Sequence, residues 1–362
     1  MPISKKNIFS DIKNIDKSIF VNEQVFYPEY LPTNIYSRDS EIKELSFSLK
    51  PLTNNKKAEN FLVYGPPGTG KTLISNFVLK ELSEYSMKVK PLYINCIQEN
   101  TRHSILSTVS SFFGAILPRR GLAVDEIWQR IKELYSKSNF YTVLILDEID
   151  KLNNTDASTL LYDLSRFSEK QKFFTLILIT NNKEFIFNLD LRTQSSLALK
   201  SLEFKKYTSQ DLKKILKERI EYGLIKDSIS EDLIGYISGY AAVRGGDARI
   251  AIDLLYKSAK ESDRKGNLKI TKEILLSSSH LIDSIKINEK ISSLSKEEFN
   301  FLYSLKNETS TTEIYSKSKI PERTIRRYLT KFEKLGFISL KTTGKGKGGS
   351  RVVIFNFNKE LL

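Results

Sequence analysis

The spacing of apolar residues along the chain changes character twice, and the changes predict three successive units. In the first, residues 60–64 form a short apolar run ending at a glycine-rich turn. Residues 73–84 then repeat apolar positions at helical spacing, with Leu73, Phe77 and Leu82 on one side. Residues 89–95 read as a strand, and 104–113 and 124–136 as helices. Residues 142–146 and 173–180 are unbroken β-rich apolar runs, as expected of strands covered on both faces. Strands alternating with helices predict a parallel, doubly wound α/β sheet.

Near residue 207 the pattern becomes helical throughout. Thr208-Ser209-Gln210-Asp211 has the spacing of a capping box, and Ser295-Lys296-Glu297-Glu298 repeats it at the start of a third unit. The expected units are 1–206, 207–288 and 289–362. Composition adds that the 362 residues are 40% hydrophobic and 28% charged, which excludes a disordered chain. Apolar runs stop well short of the roughly 18 residues of a membrane span. Residues 1–17 interrupt their apolar positions with charges, so no secretory leader is expected. Cys96 is the only cysteine, and His103 and His280 are the only histidines, so no intrachain disulfide forms and no Cys- or His-led metal site is expected.

Charge changes the picture more. The net charge of +14 favours polyanionic partners, and residues 309–362 concentrate it, with eight Lys and four Arg against four Glu.

Gly65-Pro66-Pro67-Gly68-Thr69-Gly70-Lys71-Thr72 satisfies G-x-x-x-x-G-K-[ST], preceded by an expected strand and followed by an expected helix. Glycines let backbone N–H groups close around phosphate oxygens at a helix N-terminus. Lys71 would neutralise the β/γ-phosphates of ATP and Thr72 would hold Mg²⁺. Val143-Leu144-Ile145-Leu146 is followed by Asp147-Glu148. At the carboxyl end of a buried strand, Asp147 would organise the Mg²⁺ water shell and Glu148 would act as general base on the attacking water. ATP or ADP with Mg²⁺ are the expected ligands.

These two motifs resemble those of the AAA+ ATPases. Ile177-Leu178-Ile179-Thr180-Asn181-Asn182 is similar to that family's sensor 1, which implies that Asn181 orients the lytic water. Gly245-Gly246-Asp247-Ala248-Arg249 resembles sensor 2, which implies that Arg249, opening a lid helix, reaches the nucleotide. Tyr30-Leu31-Pro32 and Ser37-Arg38-Asp39 resemble the segment covering the adenine in AAA+ initiators, placing Arg38 at the ATP site. Residues 189–197 resemble the box that supplies a trans arginine finger, but Ser196 stands where some eukaryotic origin-complex subunits carry Arg. Arg192 is an alternative finger whose position fits a structural role better. Without a finger, transition-state charge is poorly compensated, so slow turnover is expected, of a switch rather than a motor.

Residues 295–362 read as a winged helix. Helices are expected at 298–305, 311–318 and 321–335, with Ile325, Leu329, Phe332 and Leu335 on the core side of the last. Pro321 suits its first turn, and Gly336 ends it. Strands at 337–341 and 352–357 would flank Gly344-Lys345-Gly346-Lys347-Gly348-Gly349 as a wing tip. In a helix-turn-helix the second helix of the motif enters the major groove, so Arg323, Thr324, Arg326, Arg327 and Lys331 are expected on DNA. Arg326 or Arg327 would read guanine, while Lys345, Lys347 and Arg351 would touch phosphates.

A P-loop module, a helical lid and a winged helix, in that order, resemble the archaeal replication initiators of the origin-recognition and cell-division-cycle ATPase family, over about residues 27–357. The resemblance implies that a helical insertion in the ATPase domain, here 114–123 with Arg119 and Arg120 at its tip, touches the minor groove. It also implies double-stranded origin DNA, the replicative helicase and a paralogous initiator as partners, in the cytoplasm at the nucleoid. A winged-helix transcriptional regulator and a sequence-neutral loader are the competing expectations, and Ser196 argues against the loader.

Overall fold

The computed structural model describes residues 18–115, 122–167, 173–318, 320–343 and 350–355. It divides into two compact units, parting between Thr271 and Lys272. The first is built on five parallel strands, β1 (Phe61–Tyr64), β2 (Val89–Asn95), β3 (Tyr141–Asp147), β4 (Phe174–Thr180) and β5 (Lys200–Glu203), in the order β2-β3-β4-β1-β5. β3 and β4 are buried along their whole length, which is why they read as unbroken apolar runs. On one face, α1 (Asp39–Leu49) and α2 (Lys71–Tyr85) bury Leu45, Leu49, Ile74 and Val78 against Val63, Ile145 and Ile179. On the other, α3 (Arg102–Phe112), α4 (Val124–Lys137) and α5 (Asn154–Arg166) bury Leu106, Ile131 and Leu160 against Leu144, Leu146 and Leu178. A short α6 (Leu191–Leu197) precedes β5. The doubly wound parallel sheet is as the sequence predicts. β5 carried no apolar-run signal, because a four-residue edge strand covered on one side alternates instead.

Beyond β5 the unit is helical: α7 (Ser209–Gly223), α8 (Glu231–Val243) and α9 (Ala248–Arg264). Both bonds of the Thr208–Asp211 capping box form at α7. Residues 18–37, although N-terminal to the sheet, are strapped to these helices. Ile19 N–H donates to Asp263 Oδ1, Val21 N–H to Gly223 O, Arg219 Nη1 to Val25 O, and Asn34 N–H to Glu218 Oε1.

The second unit comprises α10 (Lys272–Ser292), α11 (Lys296–Ser304), α12 (Thr311–Lys317) and α13 (Glu322–Lys334), with an antiparallel sheet of β6 (Thr309–Ser310), β7 (Ile338–Thr343) and β8 (Ser350–Phe355) in the order β6-β8-β7. Phe301, Leu302, Ile325, Leu329, Phe332, Phe337 and Val353 form its core. This is the winged-helix arrangement. Two details differ from the sequence reading. Pro321 is the N-cap of α13 rather than its first-turn residue, and β6 adds a third strand too short to give a periodic signal.

Candidate nucleotide site and nucleic-acid interface

The loop 65–72 joins the carboxyl end of β1 to the first turn of α2. Lys71 is 7% exposed, and its ammonium spends all three donors, on Gly65 O at 2.8 Å, Pro66 O at 2.9 Å and Asn181 Oδ1 at 2.8 Å. Burial pushes its pKa down, opposed by the charges of Glu148 and Asp147. Asn181, at the end of β4, also donates through Nδ2 to both carboxylate oxygens of Glu148 at 3.0 Å. One side-chain amide thus links the phosphate-binding lysine to the acid following β3. Glu148 itself sits at φ 54, a left-handed conformation that costs a non-glycine residue about 1–2 kcal/mol and marks a site where geometry is imposed.

Thr72 Oγ1 donates to Asp147 Oδ2 at 2.7 Å. Among the described residues, no three or more His, Cys, Asp or Glu side chains gather as a metal cage. The donor set here is one hydroxyl and one carboxylate, oxygen ligands that suit a magnesium ion keeping water and phosphate as its other ligands. Tyr93, on β2, adds a third contact, with its hydroxyl 2.9 Å from Asp147 Oδ2. Burial, followed by the Asp147 charge, raises its pKa and keeps it a donor. Cys96 lies buried just beyond, its thiol pushed up to about 12 chiefly by burial, and is inert.

The helical region closes over the loop. Ala248 N–H donates to Gly68 O at 3.1 Å, and Asp247 caps α9 by accepting from Arg249 N–H at 2.8 Å. Arg249 is exposed at that helix start, close enough to Lys71 for its charge to be felt there. Gly68 has φ 69, and a Cβ added to it would lie 1.7 Å from Asp247 Oδ1. Gly68→Ala therefore combines left-handed strain with loss of a helix cap. It is expected to destabilise this unit by about 2 kcal/mol, read as a lower thermal midpoint without nucleotide.

Arg38 is buried rather than open to solvent. Its guanidinium lies 4.1 Å from the ring centre of Tyr207, donates to Lys205 O at 2.6 Å and pairs with Glu41 at 2.7 Å. Tyr207 in turn places its hydroxyl against Gly70. Sequence reasoning passed over both Tyr93 and Tyr207. The place of Tyr93 near the carboxyl end of an expected strand was the only local hint, and its adjacency to β3 appears only in the fold. Ser196 is half-buried, its hydroxyl 2.7 Å from Ser165 Oγ on α5, and Arg192 is exposed at the start of α6.

In the second unit, α13 buries Ile325, Tyr328, Leu329 and Phe332, leaving Arg323, Arg326 and Arg327 exposed and Thr324 half-buried. Arg326 pairs with Glu322 one turn back. Lys331 stands apart from the arginines, with Nζ 2.6 Å from Glu298 Oε2. Arg351 is exposed on β8. Lys345 and Lys347 of the wing tip, and Arg119 and Arg120 of the insertion, lie outside the described residues.

Fold and site together define a P-loop ATPase of the AAA+ class, carrying a helical lid and a winged helix. Comparison with known proteins places it further. The family model of the Cdc6 AAA+ ATPase-type lid domain matches residues 213–277, and that of the AAA domain residues 54–186. The ORC1-type DNA replication protein of Pyrococcus abyssi is 30% identical over 360 residues, spanning 92% of this chain and 86% of its own length. ORC1-type DNA replication protein 1 of Sulfurisphaera tokodaii is 30% identical over 365 residues, with 95% and 92% covered. The Aeropyrum pernix ORC1 protein, solved in complex with DNA, superposes with a TM-score of 0.72 at 27% identity, covering 95% of this chain and 96% of that one. The chain belongs to the ORC1-type DNA replication proteins, and with that family goes the role of an AAA+ replication initiator. No described helix is long and apolar enough to cross a membrane.

Proposed function

We propose that this initiator binds double-stranded origin DNA through its winged helix, holds ATP or ADP with Mg²⁺ in the loop 65–72, hydrolyses slowly as a switch, and helps recruit or load the replicative helicase alongside a paralogous initiator. The observation that carries the DNA reading is the exposure of Arg323, Arg326 and Arg327 on the helix that a winged helix lays in the major groove. The DNA complex of the Aeropyrum relative supports it. Lys71 supplies positive charge for the phosphates, and Thr72 and Asp147 would hold the magnesium, which when bound neutralises charge developing on the transferred phosphoryl group. Glu148 is the base and Asn181 its orienter. Ser196, hydrogen-bonded to Ser165, offers no charge to a neighbour's nucleotide, which supports slow turnover.

Replacing Arg326 and Arg327 together by Ala in the full chain tests the DNA reading. Affinity for DNA fragments selected from the source genome should fall about ten-fold or more at fixed salt, with the slope of log affinity against log salt reduced by about 1–2. ADP affinity should be unchanged. Unaltered DNA affinity would take α13 off the DNA.

A further inference from the structure

The carboxylate offered to the metal is held from a side that the phosphate loop does not supply. In the parallel register of β2 and β3, Tyr93 pairs with Ile145 and Asn95 with Asp147. Because side chains alternate along a strand, Tyr93 and Asp147 share one face of the sheet, the face on which Ile145 packs against α2. Asp147 therefore meets three donors from three elements. Tyr93 Oη donates to Oδ2 at 2.9 Å from β2, Thr72 Oγ1 to the same oxygen at 2.7 Å from α2, and the Glu148 N–H to Oδ1 at 2.9 Å from the turn. Without the first, Oδ2 keeps only Thr72, the side chain that must also serve the metal.

We infer that Tyr93 is a positioning residue for magnesium, fixing the Asp147 carboxylate in the orientation that organises the metal's water shell. The inference rests on the reading of Thr72 and Asp147 as the magnesium-holding pair. Groups that orient a metal's ligands from behind typically contribute ten-fold or more to its affinity, because a carboxylate free to rotate must be ordered each time the ion binds. Tyr93 as a whole is 41% exposed on the edge strand β2, so removing its hydroxyl alone opens no cavity.

The test uses the full chain and fluorescent N-methylanthraniloyl-ADP, titrated once with excess magnesium and once with EDTA. The ratio of the two affinities is the magnesium-dependent gain. Tyr93→Phe is expected to reduce that gain about ten-fold while leaving affinity in EDTA and the thermal midpoint of the free protein unchanged. A gain equal to wild type, or affinities that fall equally with and without magnesium, would overturn the assignment. Thr72→Ala, which removes a direct ligand, should abolish the gain. No gain in the wild type would remove the magnesium reading itself and the role of Tyr93 with it. A wild-type gain that survives Tyr93→Phe removes Tyr93 alone.

Discussion

Lys71→Ala is expected to lower affinity for ATP and ADP by about a hundred-fold or more while leaving the nucleotide-free fold intact. Truncating one member of a buried charge pair costs about 2–5 kcal/mol, and about 1.4 kcal/mol is a factor of ten. In the free protein the ledger is different. The three hydrogen bonds of the buried ammonium go to two carbonyls and an amide rather than to a carboxylate, and burial pushes its pKa down. A lysine whose folded pKa is depressed weakens the fold wherever it is charged in the unfolded chain, which is everywhere below its ordinary pKa, and ceases to do so above it. Its removal also strips two carbonyls of a donor, so the two effects oppose each other. The free variant's thermal midpoint should stay near wild type. Ligand at a hundred times the wild-type Kd stabilises wild type by about 2.7 kcal/mol, but by only about 0.4 kcal/mol a variant bound a hundred-fold more weakly. Thermal unfolding with and without ADP measures both quantities. A free midpoint several degrees lower, with ADP stabilisation retained, would make Lys71 a strut of the loop rather than a phosphate ligand.

What could be read ahead of the structure follows from how local the physics is. The loop 65–72 was legible because a chain that wraps phosphate needs glycine where φ is positive and a cation at a fixed offset, all within eight residues. β3 and β4 were legible because strands covered on both faces have no polar side to interrupt them. The α13 face was legible through helical period, which separates Ile325, Leu329 and Phe332 from the arginines. Contacts between residues far apart in sequence left no such trace. Arg219 reaches Val25 across 194 positions, and Tyr93 reaches Asp147 across 54. Nothing in residues 18–37 says that they belong with α7 and α9, since their partners there, Asp211, Glu218, Arg219, Tyr256 and Asp263, lie 174 to 244 positions away. A resemblance alone puts Arg38 at the site, and its stacking on Tyr207 is visible only in the fold. Position on the helix groups Lys331 with the DNA-facing cations, and only the packing of α11 shows its pairing with Glu298.

Glu148→Gln is expected to reduce ATP turnover about a hundred-fold or more while leaving nucleotide affinity within about two-fold of wild type. A positioned general base contributes 10²–10⁴ in rate, and a neutral amide of the same shape cannot accept the proton. Affinity is spared because Glu148 is neither the proposed phosphate ligand, Lys71, nor one of the proposed magnesium-holding pair, Thr72 and Asp147. Asp150, the nearby alternative carboxylate, is already committed, accepting from Thr180 Oγ1 at 2.7 Å and lying 3.4 Å from Lys151. Residual turnover close to wild type would nonetheless move the base to Asp150. The geometry of the free site bears on the slow rate proposed above. In the free site both Glu148 oxygens are bound by Asn181, and Asn181 is bound in turn by Lys71. On the proposed roles, a phosphate that draws Lys71 away would remove the bond fixing one end of the Asn181 amide and release it, with Glu148, toward a water. Glu148, Asn181 and Lys71 thus form one chain of hydrogen bonds in the free site, and on the proposed roles nucleotide binding would have to rearrange it. Single-turnover hydrolysis measured beside equilibrium binding separates the two effects. Glu148→Gln should act on the first and spare the second, the reverse of the order expected for Lys71→Ala, where binding fails before chemistry can begin.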